Sequence, residues 1–357
     1  MTGTSLGAQP TTAEIAEANR LDEGALARWL QSNVEGFEFP LTVRRFDGGQ
    51  SNPTYQLITP SRFYVLRKKP AGKLLPSAHA VDREFRVMEA LCSTGFPVPK
   101  VYALCEDVGV IGSIFYVMQM IPGRILTDAL VPGETSAHRR ALYENKIATL
   151  AQLHSVDFEG VGLSDFGKQG NYYARQIDRW SKQYKLSETE SIVEMNELMR
   201  WLPETIPALS KTSIVHGDFR LDNLIIDANE PRVVAVLDWE LSTLGDPLAD
   251  FTNYLLNWFL PRDGRSHVKG VDLRALGIPE WEEVVAIYCR HTGRDGIAHL
   301  HWYLAYNAFR LACILQGIAG RVRDGTAVSE HAKGLIRRMG PLVMSAHGFA
   351  KVAGLDE

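Results

Sequence analysis

Residues 213–238 most narrowly confine what this chain can fold into. Three short apolar runs, SIVH, NLIID and VVAVLD, follow one another there, inside a stretch whose spacing is otherwise helical. Between the first two runs lie His216-Gly217-Asp218-Phe219-Arg220-Leu221-Asp222-Asn223, and Asp238 closes the third, fifteen residues after Asn223. The pattern predicts one brief β island embedded in helices.

The chain before residue 120 has a different texture. Asp22 is placed to cap a helix carrying Leu26, Trp29, Leu30 and Val34. LTVRRF, TYQLI and FYVLR then alternate between turn residues, as in an antiparallel meander. A helix with Val81, Phe85, Met88 and Leu91 on one face follows, and after it the runs VPKVYALC and GSIFYVMQM. Pro122 and Gly123 break the pattern, and most of the remainder reads as helices, including a long run near 298–323. The expectation is an α+β, bilobal chain. Residues 1–120 give a tail, a helix and a small lobe with a five-stranded antiparallel sheet plus helix, and 121–357 give a larger, mainly helical lobe. The small, polar start of the chain reads as a mobile tail.

Composition narrows the classes. The 357 residues are 45% hydrophobic and 22% charged, which excludes collagen-like, coiled-coil and disordered types. No apolar run reaches the length of a membrane span, and the first twenty residues lack the features of a secretory leader. The net charge of −4 offers no general attraction for nucleic acid or an anionic membrane. Four scattered cysteines without a C-x-x-C pair read as reduced thiols of a cytoplasmic protein.

The residues of the island suit phosphoryl transfer. A carboxylate at Asp218 can accept or orient a hydroxyl proton. An amide oxygen five residues on, at Asn223, and the Asp238 carboxylate can share Mg²⁺, which prefers hard oxygens and keeps several waters. H-x-D-x-x-x-x-N with a strand-terminal Asp resembles the catalytic loop and metal-binding Asp of protein kinase-like folds. HGDFRLDNLI with LDWE and GDPLADF is similar to the aminoglycoside phosphotransferase family, which also contains choline and homoserine kinases. Within it the chain resembles the branch of kinase domains found at the N-terminus of long acyl-CoA dehydrogenases, over roughly residues 40–350.

The resemblance implies Asp218 as catalytic base, Asn223 and Asp238 as Mg²⁺ ligands, and His216 as a brace for the loop. Arg220 stands where related kinases place a cation on the transferred phosphate. Gly48, Gly49, Ser51 and Asn52 fall where a phosphate-covering loop is expected, although two glycines between strands also make an ordinary hairpin turn. Arg67 takes the place of the phosphate-pairing lysine, with Lys68 as the alternative, and Val65 shares the Arg67 face, toward adenine. Glu84 is placed to pair with that cation, with Asp82 a weaker candidate and a solvated helix face the plainer reading. Gln119 and Met120 fall at the hinge that would hold adenine.

Other polar residues read as structural. Asp246 caps a helix at Pro247, and Asp250 resembles the residue that ties down the catalytic loop. His154 is a helix-end residue, and His299 and His301 point apart on a helix, unlike metal ligands.

Only eleven residues separate Asp238 from Asp250, too few for a loop that holds a peptide, so no protein substrate is expected. From residue 252 onward Lys and Arg number 13 against 10 Asp and Glu, a balance that suits a neutral or anionic acceptor better than a polycation. The expected activity is ATP- and Mg²⁺-dependent transfer of the γ-phosphate to a hydroxyl of a small molecule. The branch resemblance points to a hydroxyacyl-CoA of the 4-hydroxyacyl type. Alternatives are an aminoglycoside or a choline- or homoserine-like metabolite, and, in another class, a non-catalytic nucleotide-binding pseudokinase. The oligomeric state stays open.

Overall fold

The computed structural model describes residues 12–13, 20–46, 52–70, 80–208, 211–325, 334 and 336–355. The chain divides into two compact units. The first comprises residues 1–127, 157–163 and 220–242, and the second comprises 128–156, 164–219 and 243–357.

The first unit is built on an antiparallel sheet. Its strands are β1 (Thr12–Ala13), β2 (Thr42–Phe46), β3 (Thr54–Ile58), β4 (Phe63–Lys68), β5 (Val101–Cys105) and β6 (Phe115–Gln119), in the order β1-β2-β3-β4-β6-β5. The five expected strands are all present, and β1 adds a two-residue edge. β5 starts at Val101 rather than at Val98, since Pro97 and Pro99 cannot donate to a ladder. Alternation puts Tyr55 and Leu57 of β3, and Tyr64 and Leu66 of β4, into one core with Phe115 and Val117 of β6. Helix α1 (Glu23–Asn33) covers that face with Leu26 and Leu30, and Asp22 caps it by accepting the Ala25 N–H at 2.8 Å. Helix α2 (Val81–Cys92) buries Val81, Glu84, Val87, Met88 and Leu91, while Phe85 is half-buried. Of the four cysteines, Cys105, Cys289 and Cys313 are buried, whereas Cys92 at the end of α2 is exposed.

The predicted β island is two sheets, not one. Strands β8 (Leu224–Ile226) and β9 (Val233–Val236) form a hairpin in the first unit, paired Leu224 with Val236. β7 (Ser213–Val215) pairs instead with β10 (Thr243–Gly245), in the second unit. The β8–β9 hairpin is fastened by main-chain bonds: Arg124 and Ile226 exchange N–H and carbonyl at 2.7 and 2.9 Å, and the Val236 N–H donates to Pro97 at 2.8 Å. Trp239, fully buried, lies edge-on to Phe96 with ring centroids 6.0 Å apart.

The second unit is helical: α3 (Ser136–Ser155), α4 (Tyr172–Ser187), α5 (Val193–Glu204), α6 (Pro247–Leu255), α7 (Leu273–Leu276), α8 (Trp281–Thr292), α9 (Leu300–Arg323) and α10 (Met339–Val352). Leu142, Ile147, Leu150 and Leu153 of α3 are all buried, as their spacing predicts. Asp246 caps α6 by accepting the Leu248 N–H at 2.8 Å, with Pro247 as the first helical residue. Asn307 of α9, fully buried, ties that helix to α6 by donating to the Ala249 carbonyl and to the Thr252 hydroxyl. Among the described residues no helix is long and apolar enough to cross a membrane.

Gly123 is required by close approach. A Cβ there would stand 2.5 Å from the Ile226 carbonyl oxygen and closer still to the Ile225 side chain. Gly123→Ala is expected to cost about 1–3 kcal/mol in urea unfolding, because the β8–β9 hairpin must shift to admit the methyl group. Gly133→Ala, where a Cβ meets nothing within 4 Å, tests conformation without crowding and should cost less.

Candidate active site

Four predicted residues of the first unit, Asn52, Arg67, Glu84 and Asp238, are linked through the Arg67–Glu84 pair. On β4, Arg67 lies opposite Thr54 of β3 and Tyr116 of β6, so the guanidinium and the phenol project from the same face. Both reach Glu84 of α2. The Arg67 Nε lies 3.2 Å from Glu84 Oε2, the Tyr116 hydroxyl donates to that oxygen at 3.0 Å, and the Asn52 amide donates to Oε1 at 2.8 Å. Arg67 also donates from Nη2 to Asp238 Oδ1 at 2.5 Å, with Glu240 4.0 Å away.

These charges sit out of water: the Glu84 side chain is 1% exposed and that of Arg67 13%. Burial raises the Glu84 carboxyl to about 7, and the Asp238 and Glu240 charges add to the rise, while Arg67 and the Tyr116 hydroxyl oppose it. Burial is also the largest influence on Arg67 and works against its charge, but Glu84, Tyr116 and Asp238 together outweigh it and hold the guanidinium protonated.

Asn223 ends a 3-10 turn (Leu221–Asn223) and its carbonyl accepts the Leu237 N–H at 2.8 Å, which brings Asn223 beside the chain that leads into Asp238. Asp238 has φ +67°, a left-handed conformation that Asp tolerates better than most residues. These two positions supply hard oxygen donors, one neutral and one anionic. Two protein oxygens suit Mg²⁺ shared with phosphates, so the donor set fits that ion. Arg220 is partly exposed, its Nε 3.3 Å from Asp222 Oδ1.

In the second unit, β7 delivers the loop that carries Asp218. His216 is fully buried, and its Nδ1 accepts the Asp218 N–H at 3.2 Å, which is the bracing expected of it. Asp250 of α6 accepts the main-chain N–H of His216 at 2.6 Å and of Gly217 at 2.9 Å. Gly217 has φ +85°, a conformation that a side chain would strain. His154, 2% exposed, places Nε2 3.4 Å from Asp250 and Nδ1 2.7 Å from the Tyr288 hydroxyl. Burial works to raise the Asp250 carboxyl, yet His154, His216 and the His216 N–H hold it below the usual carboxylate range. Burial pushes His154 down; Asp250 opposes this, and Arg294 and Lys211 reinforce it.

The other expectations divide. Lys68 points to the opposite face of β4 from Arg67, so the structure brings Arg67 and not Lys68 to Glu84. Asn52, expected near phosphates, donates to Glu84. Gln119 and Met120 close β6: the Gln119 N–H donates to the Lys100 carbonyl at 2.7 Å, and the Met120 sulfur lies 3.3 Å from the Gln56 amide. Gly48, Gly49 and Ser51 lie outside the described residues. The sequence reading missed Tyr116, which cross-strand pairing with Arg67 identifies once the register is known. It also missed Arg310, whose bond to the Gly217 carbonyl spans 93 residues and leaves no local signal.

A family model described as the phosphotransferase enzyme family, APH, matches residues 42–287. The chain belongs to this family. It is a phosphotransferase of the kinase type, as expected. A solved structure from Ralstonia eutropha, described as a candidate aminoglycoside phosphotransferase, is 48% identical, with a TM-score of 0.87, covering 93% of this chain and 99% of that one. Acyl-CoA dehydrogenase family member 10 of Mus musculus is 44% identical over 91% of this chain and 31% of its own length. Family member 11 of Homo sapiens is 42% identical over 89% of this chain and 42% of its own. The chain thus spans less than half the length of these curated relatives, which bear out the branch the sequence resembled. Choline kinase of Cryptosporidium parvum, 13% identical with a TM-score of 0.62 over 94% of this chain and 98% of that one, shares the protein kinase-like fold.

Two outcomes are expected of this phosphotransferase. Arg67→Met leaves the buried Glu84 without its counter-charge and should cost about 3–5 kcal/mol, whereas Arg67→Met/Glu84→Met should cost less than the two single changes summed, in a denaturation double-mutant cycle. His154, its folded pKa lowered from 6.5, contributes stability at pH above 6.5 that is lost as pH falls. The stability gap between wild type and His154→Gln should therefore shrink between pH 7.5 and 5.5, by up to about 1.4 kcal/mol per pH unit below 6.5.

Proposed function

We propose that this family member transfers the γ-phosphate of ATP, with Mg²⁺, to a hydroxyl of a small neutral or anionic molecule, the best specific acceptor being a 4-hydroxyacyl-CoA. The observation that carries the reading is the buried Arg67–Glu84 pair with Asp238 on the same guanidinium, which fixes a cation beside the carboxylate we assign to the metal. The anionic half of the proposal is supported by the relatives named acyl-CoA dehydrogenase family members and by the basic balance after residue 252. The nucleotide half is supported by a fold neighbour, the aminoglycoside phosphotransferase APH(4)-Ia, 18% identical with a TM-score of 0.57 over 90% of this chain and 98% of that one, which was crystallised with AMP-PNP and hygromycin B.

In this reading Asp218 accepts the proton of the acceptor hydroxyl as its oxygen attacks phosphorus, and the bond to the leaving ADP oxygen breaks. Asn223 and Asp238 would hold Mg²⁺, which when bound would neutralise phosphate charge. Arg67, already oriented by Glu84, pairs with the phosphates, and Arg220 is the second cation on the transferred group. Asp250 keeps the Asp218 loop in one conformation. Gln119 and Met120 flank the adenine at the hinge, and Gly48, Gly49 and Ser51 cover the phosphates. The domain division intended by the sequence, ATP on residues 1–120 and acceptor on 121–357, is part of the same proposal.

Release of ADP from Mg·ATP is the decisive measurement, over 4-hydroxyacyl-CoAs, free hydroxy acids, choline, homoserine and kanamycin. Asp218→Ala and Asp238→Ala should each lower turnover by about a thousandfold or more. Asp218→Ala should leave the melting midpoint little changed, whereas Asp238→Ala, which also takes a partner from the buried Arg67, should lower it while leaving the fold intact. Retained turnover in either variant overturns the assignment, and stimulation by kanamycin alone overturns the acceptor class.

A further inference from the structure

Arg310 projects from α9 onto the loop that carries Asp218. Its Nη2 donates to the Gly217 carbonyl at 3.1 Å, and its guanidinium carbon lies 5.9 Å from the centre of the Trp180 ring. Gly217 is thereby held at both ends of its residue by opposite charges: its N–H by Asp250 at 2.9 Å, its carbonyl by Arg310. Asp250 is 2% exposed and belongs to the packed interior, whereas Arg310 is half-buried. A guanidinium has five N–H donors in a fixed fork, and one of them meets the carbonyl. The side chain sets a permanent positive charge one residue from the proposed base.

We propose that Arg310 is a positioning and specificity residue. It fixes the main chain from which Asp218 projects, and its charge favours neutral or anionic acceptors and disfavours polycations. The inference rests on Asp218 being the base and adds to that reading the residue that selects the acceptor class. Coulomb repulsion between the half-buried guanidinium and an incoming ammonium supplies the discrimination. Lysine would keep the charge but lose the planar fork that reaches the carbonyl while lying over Trp180.

The test compares wild type, Arg310→Met and Arg310→Lys with Mg·ATP and either 4-hydroxybutyryl-CoA or kanamycin. Arg310→Met should lower kcat for the CoA acceptor about tenfold or more with KM for ATP within about twofold, and should move the ratio of kcat/KM values toward kanamycin by about tenfold. Arg310→Lys should keep the wild-type ratio without recovering kcat. An unchanged kcat in Arg310→Met overturns the positioning role, and an unchanged ratio overturns the specificity role. Should wild type use neither acceptor, the functional reading fails by itself. Arg310 is then judged by amide exchange of residues 213–219: faster exchange in Arg310→Met supports the positioning role and unchanged exchange overturns it.

Discussion

The first unit is organised around one carboxylate that water does not reach. An isolated ionised carboxylate would be prohibitively costly at the Glu84 position, so the surroundings must answer it group by group. Asn52 comes from the approach to β3, Arg67 from β4 and Tyr116 from β6, so three sheet segments are registered against α2 through one side chain. The same demand orders Arg67, and a guanidinium already held by a buried carboxylate would give up little further freedom on pairing with the phosphates proposed for it. Asp238 on its other side brings the β8–β9 segment into that arrangement, so the packing of the unit and the charges proposed for catalysis share one set of contacts.

The second unit solves a similar problem with Asp250. Here the partners are main-chain N–H groups and a neutral histidine rather than an arginine, and the carboxyl remains easily ionised. The contrast follows from what each site must hold. A loop is fixed by a carboxylate that accepts its N–H groups, whereas the buried Arg67 side chain is held by a partner of opposite charge.

Much of this was readable from local pattern. The alternating runs placed five of the six strands of the first sheet, the two-residue β1 edge excepted, and the caps at Asp22 and Asp246 followed from residue type and position. Glu84 was readable as a partner for the cation, with a solvated helix face as the plainer alternative, and the structure buries it on the face of Val81 and Met88. Contacts between distant segments were not readable. β7 left the island for β10 because pairing depends on the path of the chain rather than on the apolar run itself. Asn52 turned toward Glu84 because the carboxylate needed a donor that no spacing announced. Tyr116 and Arg310 became visible only once register and helix packing were known.

The distribution of thiols has a practical consequence. Three cysteines are shielded, and Cys92 alone is exposed, at the last turn of the helix that carries Glu84. A maleimide fluorophore or a spin label would therefore attach at one position without any engineering of the chain. It would sit two turns along the same rigid rod from the carboxylate, where small displacements of α2 become an optical or magnetic signal.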